Sequence, residues 1–250
     1  MDNDKLAEEA GDRVLLAYYH LAIAWSHMRG SSGGTANRSS ERALSAARGF
    51  VEDSGDRGSH GLLAYYTSLY LTKKGKHLDS IQQMLQAAEA ALVTGNYDSV
   101  QAYCTDLGSI IHRLGPKYYK EARSWLLLGI TIARWMQVGR DDAHGEMILG
   151  KIYTEIAKQP RLARLWLQRA ERIAKRLENR VNLADVTMVS AFWHQRFGSR
   201  NDQIEALGHA LAMFRTLRDF DCQQKERYMA LKFPSVWPAA LKFAESHRYQ

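Results

Sequence analysis

Apolar residues recur at intervals of three and four along most of the chain, the spacing that lines one side of an α-helix. In the first such stretch, residues 5 to 29, Leu15, Leu16, Tyr18, Tyr19, Ala22, Ile23 and Trp25 form a wide apolar face. From residue 61 the pattern becomes dense. It predicts helices near 61–75, 78–94, 97–114, 118–138, 143–157, 161–178, 182–197, 202–217, 220–232 and 236–247. The breaks between them have a chemical cause: Gly95-Asn96, Gly115-Pro116, Gly139-Arg140-Asp141, Gln159-Pro160, Glu178-Asn179, Gly198-Ser199 and Phe233-Pro234 supply helix-ending residues. No run alternates β-branched and polar residues between turns, so strands are not expected. Short connections make successive helices antiparallel neighbours. About twelve helices joined in this way predict an all-α fold, an α-solenoid of helical hairpins.

Two polar, glycine-rich stretches interrupt the first part of the chain, residues 31–37 and Asp53 to Gly61. Both are longer than a tight hairpin turn needs and are expected to be surface loops, either insertions or a binding lid. Between them Ser39 or Ser40 caps a helix that runs to about Val51. The expected division is an N-terminal helical segment over 1–60, helical repeats over 61–217, and C-terminal capping helices over 218–250.

The clearest hairpin lies between Ala143 and Leu177. Leu149-Gly150-x2-Tyr153 lies on one helix, Gln159-Pro160 breaks the chain, and Ala163-x3-Leu167-x2-Ala170 follows on the next. Gly150 and Ala163 remove bulk where the two helices meet, so Leu149, Tyr153, Ala163, Leu167 and Ala170 are expected inside the pair. Trp125-x2-Leu128-Gly129-x2-Ile132 repeats the first-helix pattern, and Gly95-Asn96-Tyr97 resembles the turn of a further unit. On these residues the chain resembles the tetratricopeptide-like (TPR-like) superfamily over roughly 61 to 217, whose signature is Trp-x2-Leu-Gly-x2-Tyr followed by Ala-x3-Phe. The spacing departs from that family. Expected helix starts at 143 and 182 differ by 39 and those at 161 and 202 by 41, which gives a period near 40 and resembles divergent repeats.

The resemblance implies a non-enzymatic scaffold or adaptor that binds a protein segment in a groove lined by first helices. Taking Leu149 as the signature leucine places His144, Lys151, Thr154 and Glu155 on that groove. A shift of one period adds Ser190, Trp193 and His194. Trp193 has a second reading, as a packing residue of its own hairpin, because an aromatic at helical spacing is more often core than contact.

Composition changes this picture only modestly. The chain has 250 residues, 46% of them hydrophobic and 24% charged, ample for a large core. Cys104 and Cys222 lie far apart, which suits two free thiols in a reducing, intracellular compartment. The acidic start, Met1-Asp2-Asn3-Asp4-Lys5, lacks the apolar segment of a secretory signal. The longest apolar run, Trp125 to Ala133, is too short to span a bilayer.

Tests for chemistry are negative at the level of motifs. There is no His-Glu-x2-His, phosphate-loop glycine pattern, Cys-x2-Cys or Gly-x-Ser-x-Gly, so no catalytic residue, metal site or cofactor is expected. Asp141, Asp142, His144 and Glu146 cluster, but helix capping by the aspartates and a first-turn Glu146 explain them.

Charge singles out residues 158–180. Lys158, Arg161, Arg164, Arg169, Arg172, Lys175, Arg176 and Arg180 face only Glu171 and Glu178, a net +6 out of the chain's formal +7. At 100° per residue the cations from Arg161 onward gather on one side and Ala163, Leu167, Ala170 and Ala174 largely on the other. Such a face is either solvated or set against an acidic partner: an acidic protein surface, a nucleic acid or an anionic membrane.

Overall fold

The computed structural model describes residues 12–29, 34–136, 142–217 and 221–247; the side chains of residues 29, 34–37, 142, 221 and 222 are outside that description. Among the described residues all regular structure is helical. The start of the first expected helix, residues 31–33 of the first loop, the Gly139-Arg140-Asp141 break, capping by Asp141 or Asp142 and the Cys222 thiol lie outside the described residues. The fold is all-α, built as antiparallel helical hairpins of the α-solenoid kind. It divides into two compact units, Met1–Leu114 and Gly115–Gln250. The divisions expected after residues 60 and 217 fall inside these units.

The first unit contains α1 (Arg13–Arg29), α2 (Gly34–Ser54), α3 (Arg57–Lys73), α4 (His77–Val93) and α5 (Tyr97–Arg113). Helix α1 packs on α2, α3 on α4 and α4 on α5, while α1 also meets α3. Leu21, Ala24, Met28, Ala43, Leu44 and Ala47 form one buried cluster, closed by Leu62, Tyr66 and Leu69 of α3. Buried hydroxyls lock α3 to α4: the Ser68 and Ser80 hydroxyls lie 2.8 Å apart, and each also reaches the other's carbonyl at 2.8 Å.

The Asp53–Gly61 loop is corrected. Helix α2 runs to Ser54 and α3 starts at Arg57. Gly55, at φ 62°, turns the chain, and the Asp56 carboxylate accepts the Ser59 N–H at 2.6 Å as the cap of α3. Gly61 is not a loop residue. A β-carbon there would sit 2.8 Å from that of Ala90, so this glycine permits close approach of α3 and α4. The expected loop over 31–37 is likewise shortened, since α2 begins at Gly34.

The second unit opens with a 3₁₀ turn at Pro116–Tyr118, then α6 (Tyr119–Trp135), α7 (Asp142–Glu155), α8 (Pro160–Arg176), α9 (Arg180–Phe197), α10 (Arg200–Leu217), α11 (Asp221–Lys232) and α12 (Trp237–Ser246). Successive helices from α6 to α11 pack together, and contacts also skip one element: α7 meets α9 and α10 meets α12. The core of the last four helices holds Leu207, Leu211, Phe214, Met229 and Phe233.

The hairpin of α7 and α8 forms as its residues dictate. Leu149, Tyr153, Ala163, Leu167 and Ala170 are all buried. A β-carbon on Gly150 would lie 2.6 Å from Leu167 Cδ2, so only glycine lets the backbones approach this far.

The period is local and regular. Helices α3, α4 and α5 start at residues 57, 77 and 97, and α8, α9 and α10 at 160, 180 and 200. Three of these four 20-residue steps end in a left-handed turn residue; between α9 and α10 Gly198 is instead extended, at φ −107°. Gly75, Gly95 and Glu178 occupy the left-handed position at φ 75°, 69° and 51°. After them, the Lys76, Asn96 and Asn179 N–H groups donate to the carbonyls of Leu71, Ala91 and Ala174, the Schellman closure of a helix end. The Asn96 and Asn179 side chains then cap the next helices by accepting from Ser99 and Asn182. No helix among the described residues is long and apolar enough to cross a membrane.

Candidate functional site

Helices α7 and α9, the first members of consecutive hairpins, meet along a shallow open cavity of about 230 Å³. Thr154 and Glu155 line it from α7, and Phe192, Gln195 and Arg196 from α9. The α9 residues recur at positions 192, 195 and 196, one face of a helix. Phe192 supplies an apolar wall. Its ring is held from behind by Phe233, at 4.5 Å between centroids, and by Tyr228 at 6.1 Å. The Lys151 ammonium stands 6.0 Å above the same ring, at the outer limit of a cation–π contact.

Polar groups set the rim. Arg196 Nη1 donates to the Glu155 carbonyl at 3.1 Å, which ties α9 to the C-terminal end of α7. Burial, and then the nearby Glu155 carboxylate, pushes the Tyr228 phenol above its usual pKa, so it stays a neutral hydroxyl at physiological pH. The Lys225 ammonium lies 2.5 Å from the Asp185 carboxylate and fixes α11 against α9. The cavity thus has an apolar wall at Phe192 with Glu155 and Arg196 on its lining, and the Lys151 ammonium stands beside it over the Phe192 ring.

The residues expected on the groove separate. Thr154 and Glu155 line the cavity, with the Thr154 hydroxyl donating to the Gly150 carbonyl at 2.8 Å, while Lys151 stands beside it over the Phe192 ring. His144 is half-buried in the first turn of α7. Ser190 donates its hydroxyl to the Val186 carbonyl within α9. Trp193 faces α8: its Nε1–H donates to the Pro160 carbonyl at 3.1 Å, and the Arg164 guanidinium sits 5.5 Å from its ring. His194 points toward α10, with Nδ1 3.7 Å from the Asp202 carboxylate. Burial holds its pKa below the ordinary histidine value. Sequence reasoning missed Phe192, Gln195 and Arg196. Helices α7 and α9 start at 142 and 180, 38 residues apart rather than 39, which sets Phe192 and not Trp193 one period after Thr154.

The basic stretch divides too. Arg161, Arg164, Arg172, Lys175, Arg176 and Arg180 are exposed. Arg169 is not part of that free face. With Arg134 of α6 it clamps the Glu146 carboxylate, whose side chain is 0% exposed, at 3.1 and 2.8 Å. Glu146 therefore links α6, α7 and α8 rather than only adding charge to the first turn of α7.

A smaller cleft of about 150 Å³ lies in the first unit, among Tyr18, Arg57, Leu62, Asn96, Ser99 and Tyr103. Beside it Tyr65 stacks on Tyr103 at 4.6 Å and donates to the Asp106 carboxylate at 3.2 Å. Cys104 is buried, and burial pushes its thiol up to about 11, which leaves it protonated and unreactive.

Fold and site define an all-α protein of stacked helical hairpins with an open groove between first helices. No family model matches the chain, and no curated protein matches it.

Proposed function

We propose that the chain is a non-enzymatic protein-interaction scaffold or adaptor, TPR-like in organisation, that binds a segment of a protein partner in the groove between α7 and α9. One observation carries the reading: Phe192 is presented as an apolar wall between donors at Gln195 and Arg196 and the mixed charges of Lys151 and Glu155. An apolar anchor point with a few placed polar groups is the usual composition of a peptide-binding groove. The small volume suits one or two side chains of an extended or helical segment rather than a whole small-molecule ligand. The 20-residue helical step and the glycine at the α7–α8 contact support the repeat organisation.

The test is a peptide-display selection against the whole chain, followed by titration of the selected peptides. Phe192→Ser and Arg196→Glu should each weaken binding about tenfold or more, the effect of removing one good contact. Arg42→Glu, on α2, should leave it unchanged. Equal affinity for parent and both groove variants would remove α7–α9 as the site.

A further inference from the structure

The exposed side of α8 is not used by the groove, and its chemistry is distinct. Arg161, Arg164, Arg172, Lys175 and Arg176 are exposed, and at 100° per residue they span an arc of about 120°. The opposite side carries Ala163, Leu167, Ala170 and Ala174, all buried against neighbouring helices. Of the two acidic residues in this stretch, Glu171 is 2.6 Å from Lys175 and so offsets one cation. Between Arg161 and Arg176 the strip runs about 22 Å, at 1.5 Å per residue. Four of its five cations are arginines, whose planar forked donors match phosphate oxygens.

We propose that this strip of α8 is a docking surface for duplex nucleic acid, which it contacts through the phosphate backbone without reading sequence. The composition decides the mode. The outward strip is cationic along its length, the makeup of a contact to phosphates rather than to base edges. Each strand carries one phosphate per 3.4 Å of duplex axis, so the strip spans about six base pairs along that axis.

Duplex is favoured over single strand because the strip has no free aromatic platform. Trp193 is engaged by Pro160 and Arg164, and the Trp166 ring lies under the Arg169 guanidinium at 5.1 Å. Single-strand binders rely on bases stacked upon exposed rings. Leucines do accompany the arginines, with Leu165 45% exposed in the middle of the face. Yet the face as a whole is dominated by guanidinium groups, which favours phosphate over a lipid interior.

The experiment uses the full chain, short mixed-sequence DNA and RNA duplexes, the matching single strands, and phosphatidylserine vesicles. Binding is read by fluorescence anisotropy, or by co-sedimentation for vesicles, from about 50 to 200 mM salt. The parent should bind duplexes of unrelated sequence alike and more tightly than single strands. The triple variant Arg161→Glu, Arg172→Glu, Arg176→Glu should lose about tenfold or more in affinity, and its salt slope should fall by about 3. The corresponding triple glutamine variant keeps the test valid if the glutamates disturb the fold. The variant Arg42→Glu, Arg48→Glu, Lys120→Glu changes net charge equally at exposed positions elsewhere and should retain binding. Four results would overturn the proposal: no duplex binding at low salt, equal loss in both triple-glutamate variants, single strands bound as tightly as duplexes, or vesicles bound in preference to duplexes.

Discussion

Glu178 occupies the left-handed turn position that Gly75 and Gly95 fill elsewhere, at φ 51°. A side chain there costs about 1 kcal/mol relative to glycine, because its β-carbon crowds the backbone. Glu178→Gly should therefore stabilise the protein by up to about 1 kcal/mol, read as a higher urea midpoint at unchanged slope. Glu146 works in the other direction. Removing its carboxylate leaves two guanidinium groups without their shared partner, but both are partly exposed and water takes up their charge, so Glu146→Ala should destabilise by about 1–3 kcal/mol.

His194 adds a pH dependence with a definite sign. Its folded-state pKa is depressed by burial, so protonation favours the unfolded chain. At high pH both states hold neutral imidazole and nothing is lost. As pH falls below the unfolded value of about 6.5, the parent should lose stability that a His194→Gln variant keeps. Chemical melts of both proteins at two pH values, one on either side of that value, would check it. A parallel decline of both would show that other groups set the acid response.

Helices were the most legible feature of the chain. Their boundaries follow from punctuation that has a physical cause: a left-handed glycine, then an asparagine or aspartate cap. The reading of α7 and α8 succeeded because Gly150 and Ala163 are small where helices touch. The same logic explains the misreading of Asp53–Gly61. Glycine can mean a turn, as at Gly55, or a close helix contact, as at Gly61, and only the three-dimensional neighbour, Ala90, separates the two.

Of the positions expected on the groove, Thr154 and Glu155 on α7 line the cavity and none on α9 does, for a related reason. A helix register error of one residue turns a side chain by about 100°. That is enough to exchange Phe192 for Trp193 on the groove. Arg169 could not be separated from the basic face by sequence, since its difference lies in one buried carboxylate from another helix. Two changes test the element-level account. Ala170→Arg would force a charge into the contact of α7 and α8 and should cost several kcal/mol, seen as a large drop in melting temperature. Asn179→Ala, which removes the cap of α9, should cost about 1 kcal/mol.

At the scale of the whole molecule, the two units share a 20-residue helical step but differ in what they present. The second unit offers an apolar groove with a polar rim on α7 and α9 and an arginine strip on α8. The groove and the strip are chemically separable, so their partners should be separable by salt. Apolar docking at Phe192 should change little between low and high salt, whereas phosphate contacts weaken steeply.

Photocrosslinking would show whether a protein segment docks between α7 and α9. A benzophenone amino acid replaces either Gln195, at the groove, or Gln168, exposed on the outer side of α8. Each protein is irradiated with a selected peptide at saturating concentration. Docking there should give a strong crosslink from position 195 that Phe192→Ser abolishes, and none above background from position 168. A crosslink from 168 that persists in Phe192→Ser, with none from 195 while the peptide remains bound, would contradict it.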